Sequence, residues 1–197
     1  MTSVRDQILA ECPPSYPAMF RKRVADDPDK IAYLVPQHRE PEEWVEVTWR
    51  EVAAEADELA AGFIALGLLP EQRVAIAAMT RIEWVMADYG IACAAGATTT
   101  LYPNMQGPDV LHILSDSQSV IVVAENWAQA RKVLDQHELD GQVHHIVLFD
   151  DDRPAGVTDE RLVSWPQLHE LGREYLAGHR EVLDERLGLM GPETLST

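Results

Sequence analysis

The chain has 197 residues, and its 33 acidic side chains against 16 basic ones give a formal net charge of −17. Apolar residues make up 46% of the chain, and a domain of this size can bury roughly two thirds of its unfolded surface. The acidic excess repels phosphate backbones, which excludes free nucleic acid as a partner. A small anionic ligand remains allowed, because a helix N-terminus or a single cation can bind phosphate locally.

The cysteines and the apolar segments bear on the cellular compartment. Cys12 lies in a polar, proline-rich segment and Cys93 in an apolar helical run, and two unpaired thiols are typical of the reducing cytosol. The first residues show no signal-peptide pattern. The apolar stretch 85–97 is interrupted by Asp88 and is too short to span a bilayer. We therefore predict a cytoplasmic protein, with peripheral membrane contact through a lipid substrate and homo-oligomer formation left open.

The amino-terminal part of the chain predicts a leader and a short helix. Residues 1–16 are loosely patterned and predict a flexible leader. Pro17 predicts the start of a helix, since proline is favoured at the first helical position. The apolar face of this helix is predicted to consist of Met19, Phe20 and Val24.

A small β-hairpin and a well-capped helix are predicted next. Residues 31–35 and 44–47 are strand-like, and a polar, proline-flanked stretch joins them. Thr48 and Glu51 have the spacing of a capping box, in which each side chain hydrogen-bonds to the other residue's backbone N–H. Gly67 is predicted to end the helix in the left-handed conformation.

Strands and helices then alternate four times. Residues 74–78 form the continuous apolar run expected of a strand that is covered on both faces, and Thr80 and Glu83 predict a second capping box. The elements that follow are a helix from 82 to near 96, a strand at 97–101, a helix from 108, a strand at 119–124, a helix capped at 126 and a strand at 145–149. This alternation predicts an α/β fold: an open, mostly parallel sheet with helices on both faces, plus the small N-terminal β-hairpin.

The last quarter of the chain predicts helices and a tail. Residues 150–159 are polar and predict a surface loop. A helix is predicted from Trp165 to about residue 177, and a second helical stretch passes through residues 182–187. Residues 191–197 have strand and loop character, but no partner for them is visible in the sequence.

A search for chemistry finds no catalytic constellation. The sequence has no glycine-rich phosphate loop and no G-x-S-x-G nucleophile elbow. His144 and His145 fall in a predicted strand, so their rings point to opposite faces and cannot share a metal ion. We therefore predict neither a catalytic residue nor a metal site in this chain.

Three features could bind an anion. The loop at residues 98–104 leaves the carboxyl end of a strand, which is where open parallel sheets bind ligands. Arg131 and Lys132 form a basic spot on the helix after the strand 119–124, either as a phosphate contact or as a solvent-facing pair. Arg81 could meet an anion or pair with a nearby carboxylate, and we favour the pairing.

Several segments, taken in order, carry a resemblance to a known family. They are WVEVTWREV at 44–52, RVAI at 73–76, TRIEWVMADYG at 80–90, AAGATTTLYP at 94–103, SDS at 115–117 and VIVVAEN at 120–126. Their order resembles the adenylate-forming acyl-CoA synthetases, specifically the AMP-forming long-chain fatty-acid–CoA ligases. The resemblance covers roughly residues 17–180, and it is the set of segments together that is specific.

The resemblance implies a two-step reaction in the full-length enzyme. ATP and a fatty acid form acyl-AMP and pyrophosphate, and CoA then displaces AMP. It also implies that residues 17–190 are one α/β subdomain of the N-terminal domain and that residues 191–197 begin the next segment. The family's phosphate loop and its ATP and Mg²⁺ contacts lie further along, so no catalytic residue is carried over. This chain alone is predicted to be inactive and to bind ATP, Mg²⁺ and CoA at most weakly.

Some relatives contact the CoA nucleotide with the loop and helix that correspond here to Tyr102–Gln106 and Gln129–Lys132. On that basis the candidate CoA-region residues are Tyr102, Asn104, Gln106 and Lys132. Two alternatives stay open. The chain could be part of another adenylate-forming enzyme, such as an aryl-acid ligase or a carboxylic-acid reductase, or it could be a non-catalytic α/β binding or scaffold module.

Overall fold

The computed structural model describes residues 12–36 and 43–196. Residues 1–11 of the predicted leader and residues 37–42, which join the two strands of the predicted hairpin, lie outside the described residues. Within them the chain forms seven α-helices, seven strands and one 3₁₀ turn. In chain order these are α1 Tyr16–Asp26, β1 Ile31–Pro36, β2 Trp44–Thr48, α2 Trp49–Ala65, β3 Arg73–Ala77, α3 Ile82–Cys93, β4 Ala97–Leu101, α4 Gly107–Ser117, β5 Ser119–Ala124, α5 Trp127–Leu134, the 3₁₀ turn His137–Leu139, β6 His145–Leu148, β7 Leu162–Ser164, α6 Trp165–Gly178 and α7 Val182–Gly188.

The strands form two sheets. β1 and β2 pair antiparallel, which confirms the predicted hairpin. The other five strands form a sheet in the order β4-β3-β5-β6-β7, and every pairing in it is parallel. The predicted open parallel sheet is therefore confirmed. The sequence analysis missed β7, because a strand of three residues between a polar loop and a helix is too short to show a period.

The central strands are buried on both faces. On β3, Val74 and Ile76 contact one apolar cluster, which α1, α2, α3 and α6 cover. Ala75 and Ala77 contact a second cluster, which α4 and α5 cover. Successive side chains of a strand point to opposite faces, so a continuous apolar run needs helices on both sides. The predicted arrangement of helices is confirmed.

The first helix signals of the sequence analysis are also confirmed. The Thr48 hydroxyl accepts from the Glu51 backbone N–H at 3.3 Å, and the Thr48 N–H donates to the Glu51 carboxylate at 2.7 Å. Gly67 has φ +90°, and the Leu68 N–H beyond it donates to the Phe63 carbonyl at 3.0 Å. These bonds satisfy backbone groups that would otherwise be unpaired at the two ends of α2.

Two local predictions are wrong. Helix α3 begins at Ile82 with Arg81 as its N-cap and no side-chain capping bond, so Thr80 does not cap it. The Glu83 carboxylate binds the Arg81 guanidinium instead, because a charge-assisted bond is stronger than a bond to a neutral backbone N–H. On α1, Phe20 is buried as predicted, whereas Met19 is 51% exposed.

Helices α2 and α6 approach each other closely because glycines lie at their contact. A Cβ at Gly172 would lie 1.9 Å from the Glu58 carbonyl oxygen, and a Cβ at Gly62 would lie 2.5 Å from the Leu168 carbonyl oxygen. Beside this contact the His169 Nδ1 lies 2.9 Å from a Glu58 carboxylate oxygen. The glycines therefore allow backbone contact, and a polar pair across the same two helices accompanies it.

Across residues 12–36 and 43–196, every helix is too short or too polar to span a lipid bilayer.

The close helix contact can be tested with two glycines of α6. Gly172→Ala forces its methyl group into the backbone of α2, so we expect the free energy of unfolding to fall by at least about 3 kcal/mol. Gly178→Ala is the matched control, because no atom outside its chain neighbours and its own helix backbone lies within 4 Å of the added Cβ. There we expect no loss and a gain of up to about 1 kcal/mol from helix propensity. Urea denaturation measures both, and equal stability of the two variants would contradict the contact.

Candidate functional site

All five parallel strands end at one edge of the sheet, and the candidate site lies there. The chain leaves β3 toward β4 on one side and leaves β5 toward β6 on the other. This makes the space between the carboxyl ends of β3 and β5 the switch point, where open α/β sheets bind ligands. The loops after β3, β4 and β5 therefore border this space.

A carboxylate occupies the switch point. The Glu125 side chain accepts a hydrogen bond from the Met79 N–H at 3.0 Å, and the Glu125 N–H donates to the Ala77 carbonyl at 2.9 Å. A negative charge held at this place opposes the binding of a phosphate. The sequence analysis missed Glu125, although an acidic residue directly after the most apolar strand was a visible signal.

The loop after β4 lies against α5, and two side chains of that helix hold it. The Lys132 ammonium donates to the Pro103 carbonyl at 2.6 Å, and the Gln129 amide donates to the same carbonyl at 3.2 Å. Lys132 also donates to the Gln129 side-chain oxygen at 3.0 Å. Residues three apart on a helix share a face, and the start of α5 is set by Asn126, whose side chain accepts from the Gln129 N–H at 3.2 Å.

The structure brings the four predicted site residues together at this loop. Tyr102 is 67% exposed at the end of β4. The Gln106 amide donates to the Asn104 carbonyl at 3.3 Å, and Gln106 is the N-cap of α4 without a side-chain capping bond. Tyr102, Asn104 and Gln106 thus lie on this loop or at its end, and half-buried Lys132 is bonded to the loop from α5. We call this set of four residues the β4 corner.

The two neighbouring basic residues of α5 differ in their surroundings. Arg131 is exposed and lies 3.4 Å from the Asp135 carboxylate. Lys132 is half-buried, and its described hydrogen bonds go to neutral oxygens. The positive charge of Lys132 is therefore not cancelled by a described carboxylate partner.

Arg81 pairs with carboxylates, as the sequence analysis favoured. Its guanidinium binds Glu83 at 2.7 Å and Asp150 at 2.7 Å, and it lies over the Phe149 ring at 5.4 Å from the centroid. Bonds from Arg81 lower the pKa of Glu83, although partial burial opposes the shift. Bonds to Glu83 and then to Asp150 raise the pKa of Arg81. Arg81 is thus held in ion pairs that belong to the fold and is not available to bind an anion.

An apolar groove of 730 Å³ runs between the hairpin and α3. Leu34, Val35, Ile82 and Val85 line it together with the ion-paired Arg81 and Glu83. Because the guanidinium is already paired, the groove offers apolar contact without an available charge.

The thiol and imidazole groups form no reactive set within the described residues. Burial raises the pKa of the Cys93 thiol to about 11, so it stays protonated and unreactive at neutral pH. Burial also lowers the pKa of His145, and the neighbouring His144 adds to that shift. Residues 12–36 and 43–196 contain no group of three or more His, Cys, Asp or Glu that could hold a metal ion.

The family of the chain follows from comparison with known proteins. Residues 20–177 match the AMP-binding enzyme family, which is the family of adenylate-forming enzymes. The match covers most of the chain, and the parallel sheet with helices on both faces agrees with it. The chain belongs to this family.

Curated relatives include fatty-acid ligases. Long-chain-fatty-acid–CoA ligase FadD15 of Mycobacterium bovis is 33% identical over 126 residues, which are 64% of this chain and 20% of that protein. The chain therefore spans about a fifth of the length of this relative. An uncharacterized protein of Mycobacterium tuberculosis is 24% identical over 151 residues, which are 76% of this chain and 81% of that protein.

Solved structures agree on the fold. A fatty acyl CoA synthetase of Mycobacterium tuberculosis superposes with a TM-score of 0.58 at 26% identity, covering 81% of this chain and 28% of that one. The N-terminal domain of FACL13 from Mycobacterium tuberculosis gives a TM-score of 0.61 at 24% identity, covering 81% of this chain and 35% of that one. The fold is that of the N-terminal domain of adenylate-forming enzymes.

The Arg81 cluster makes a test of pH dependence possible. A carboxyl whose pKa is lowered by folding stabilises the fold above its ordinary pKa, and that contribution is lost as the pH falls through the folded value. We expect Arg81→Gln to lower the free energy of unfolding by about 1 kcal/mol at pH 7, since the pair is partly screened by solvent. Urea denaturation at pH 7 and pH 3 should show the difference shrinking at the lower pH.

The control for this test is Arg131→Gln, which removes an exposed ion pair on α5. We expect it to change the stability by less than about 0.5 kcal/mol at either pH. An Arg81→Gln effect that is the same at pH 7 and pH 3 would show that the guanidinium acts through packing on Phe149 and not through Glu83.

Proposed function

We propose that the chain forms the N-terminal part of an ATP-dependent long-chain fatty-acid–CoA ligase. The reaction converts a fatty acid, ATP and CoA to acyl-CoA, AMP and pyrophosphate. The observation that carries the proposal is the match to the AMP-binding enzyme family over residues 20–177, together with relatives named as fatty-acid–CoA ligases. Membership of the family supports ATP and Mg²⁺ as requirements of the complete enzyme.

The proposal places the CoA nucleotide at the β4 corner. Two charges favour the β4 corner, rather than the switch point of the sheet, as the position of the CoA nucleotide. Glu125 puts a carboxylate at the switch point, whereas Lys132 puts an ammonium beneath the β4 loop. Opposite charges attract and like charges repel across a few ångströms, so a phosphate of CoA is favoured at Lys132.

Each residue of the β4 corner has a role that its chemistry suits. The Lys132 ammonium binds a phosphate oxygen. The exposed ring of Tyr102 offers a face on which a purine base can stack. The side-chain amides of Asn104 and Gln106 can donate to and accept from the base or the ribose. None of the four residues transfers a group, so this corner is assigned to binding and orientation and not to bond making.

The chain by itself is proposed to be without ligase activity. The resemblance assigns the phosphate loop and the ATP and Mg²⁺ contacts to segments beyond those that match here. Within the described residues, Arg81 is paired with carboxylates and the Cys93 thiol is buried, so neither group is available for catalysis. A cytoplasmic location is part of the same proposal, because the reaction consumes ATP and CoA.

A second candidate function is a non-catalytic binding module on the same fold. The uncharacterized Mycobacterium tuberculosis protein supports it, because this chain covers 81% of that protein's length. A chain of this size therefore has a curated relative of similar size, in addition to relatives that are several times longer.

The CoA site can be tested by titrating the chain with 3′,5′-ADP, the nucleotide part of CoA, and following backbone amide shifts by NMR. We expect weak, saturable shifts at residues of the β4 corner. Lys132→Gln keeps a hydrogen-bond donor but removes the charge, and we expect it to weaken binding roughly tenfold, as for loss of one hydrogen bond to a charged group. Arg131→Gln is the matched control, and its affinity should stay within about twofold.

Two results would contradict this placement of the CoA nucleotide. One is binding that weakens equally in Lys132→Gln and Arg131→Gln, which would indicate only a general charge effect. The other is a set of shifts at the switch point around Glu125 and none at the β4 corner. Adenosine, which lacks phosphate, serves as the ligand control and should bind without sensitivity to Lys132→Gln.

The inactivity of the chain is tested separately with ATP, Mg²⁺, CoA and radiolabelled palmitate. We expect no acyl-CoA above the level of a reaction without protein. Formation of acyl-CoA that depends on the chain would overturn the proposal that groups outside it carry the chemistry. Saturable 3′,5′-ADP binding without activity is expected for the ligase proposal, whereas a complete lack of binding would favour the second candidate.

A further inference from the structure

A polar cavity lies at the amino ends of the three central strands, and the proposed function does not use it. β3, β5 and β6 are neighbours in the sheet and run parallel, so their first residues meet at the edge opposite to the β4 corner. The cavity has a volume of 410 Å³, and its polar side chains are those of Gln72, Arg73, Gln118, Gln142 and His144. We call it the amino-edge cavity.

A glutamine stands just ahead of each of these three strands. Gln72 directly precedes β3, Gln118 directly precedes β5, and Gln142 comes three residues before β6. The strands are buried on both faces, and a polar side chain is costly to bury there, so each glutamine lies at the end of its strand. Because the strands are parallel neighbours, the three amides meet around one cavity.

Arg73 and Gln72 bring hydrogen-bond donors to the cavity. A guanidinium has five N–H groups. The Nε group of Arg73 donates to the Ser117 carbonyl, and one Nη1 group donates to the Glu71 carbonyl at 3.3 Å. The Gln72 side-chain oxygen accepts from the Leu69 N–H at 2.9 Å, which leaves its two amide N–H groups. Among the described residues, three N–H groups of Arg73 and two of Gln72 therefore have no acceptor.

Gln118 and Gln142 bring acceptors to the same cavity. The Gln142 amide nitrogen donates to the carbonyls of Leu114 and Ser119 at 2.7 and 3.1 Å. The Gln118 amide nitrogen donates to the Ser115 carbonyl. Each side chain has thus used its nitrogen on the backbone. Within the part of the chain that the structure describes, the two side-chain oxygens have no donor.

His144 adds one more acceptor. Its Nε2 lies 3.2 Å from the Gly141 carbonyl. A carbonyl can only accept, so Nε2 carries the proton, and Nδ1 of the neutral ring is left as an acceptor. The cavity therefore has donors on its β3 side and acceptors on its β5 and β6 sides.

The described residues that line the cavity include no carboxylate. Two acidic residues directly precede lining residues in the sequence, and both are engaged by other groups. The Glu71 carboxylate accepts from the Leu195 N–H at 3.0 Å. The Asp140 carboxylate binds the Arg161 guanidinium at 2.8 Å. The charge of Arg73 is therefore not cancelled within the cavity lining.

The tail that engages Glu71 has a second bond. The Thr98 N–H of β4 donates to the Ser196 carbonyl at 3.2 Å. The tail thus has partners that the sequence did not show. Together the two bonds hold residues 195 and 196 in place, so the Glu71 carboxylate has a fixed backbone donor.

We propose that the amino-edge cavity binds the phosphate ester of a small polyol. The phosphate lies at Arg73 and Gln72, and the hydroxyl groups donate to the side-chain oxygens of Gln118 and Gln142. A phosphate ester has three terminal oxygens and a carboxylate has two, so the five unused N–H groups suit the phosphate better. Hydrogen bonds between a guanidinium and a phosphate are also among the strong ones.

Size and position agree with this ligand. A volume of 410 Å³ is near the lower end of the range for small-molecule sites, which suits a ligand of a few carbon atoms. The cavity is at the amino edge of the sheet, whereas the β4 corner is at the carboxyl edge. The proposal therefore does not rest on the proposed function.

The ligand class is tested by titrating the 197-residue chain with glycerol 3-phosphate and following amide and Arg73 side-chain signals by NMR. We expect saturable shifts at the residues of the amino-edge cavity. Inorganic phosphate should bind about fivefold more weakly, because it lacks the hydroxyl groups that reach the glutamine oxygens. Glycerol should show no saturable shifts. Acetate binding as tightly as phosphate would overturn the phosphate assignment, and equal affinity for phosphate and glycerol 3-phosphate would overturn the polyol.

Arg73→Gln tests the charge, and Arg186→Gln is the matched control. The Arg186 guanidinium also bonds two backbone carbonyls, those of Ala94 and Leu68 at 3.2 and 3.1 Å, but it does not line this cavity. We expect Arg73→Gln to weaken glycerol 3-phosphate binding at least about tenfold. Arg186→Gln should stay within about twofold, because charges outside the site are screened by salt. Equal weakening in both variants would indicate a general charge effect and overturn the site.

A second variant separates binding from folding, because Arg73 also bonds the Ser117 carbonyl at the end of α4. His144 is exposed, so His144→Trp can fill the cavity without entering the core. We expect it to weaken binding at least about tenfold with an unchanged melting temperature. Unchanged affinity in this variant would overturn the cavity as the site. Shifts at Lys132 and none at the amino-edge cavity would also overturn it, while leaving the CoA site intact.

Discussion

The burial of β3 and β5 on both faces is the constraint on which the rest of the structure depends. Their side chains alternate between two apolar clusters, so neither strand can exist in this sheet without helices on both sides. At roughly 25 cal/mol for each Å² of apolar surface removed from water, this burial is the main favourable term in the fold. Because the strands are parallel, the same constraint sends all their loops to one edge, which is where the candidate site lies.

Charge decides which part of that edge can hold an anion. In a chain with a net charge of −17, many basic side chains are held by carboxylates, and Arg81 is bound by two of them. Lys132, like Arg73 and Arg186, makes its described bonds to neutral oxygens. Of these three cations, Lys132 is the one that lies beneath the loop after β4. The β4 corner is therefore distinguished as a candidate anion site by the acidity of the rest of the chain as much as by the lysine itself.

Two close approaches define how the outer elements are attached. Glycines let α2 and α6 meet backbone to backbone, which fixes the helix layer on one face of the sheet. At the other end of the layer, Arg186 ties α7 to carbonyls beyond α2 and α3 and directs the tail toward β4. The helix layer and the sheet edge are thus connected through a few specific contacts. These contacts also position the tail.

The sequence by itself determined the alternation of strands and helices, the hairpin, the cap at Thr48, the left-handed Gly67 and the family, because these depend on local patterns of apolar and capping residues. It did not determine the strand order, the position of Glu125 between two strands or the partner of Ser196. It also mistook Thr80 for a cap, since only the folded chain brings Asp150 and Glu83 to the same guanidinium. Contacts between residues distant in sequence depend on how the helices pack, and tertiary structure alone decides that packing.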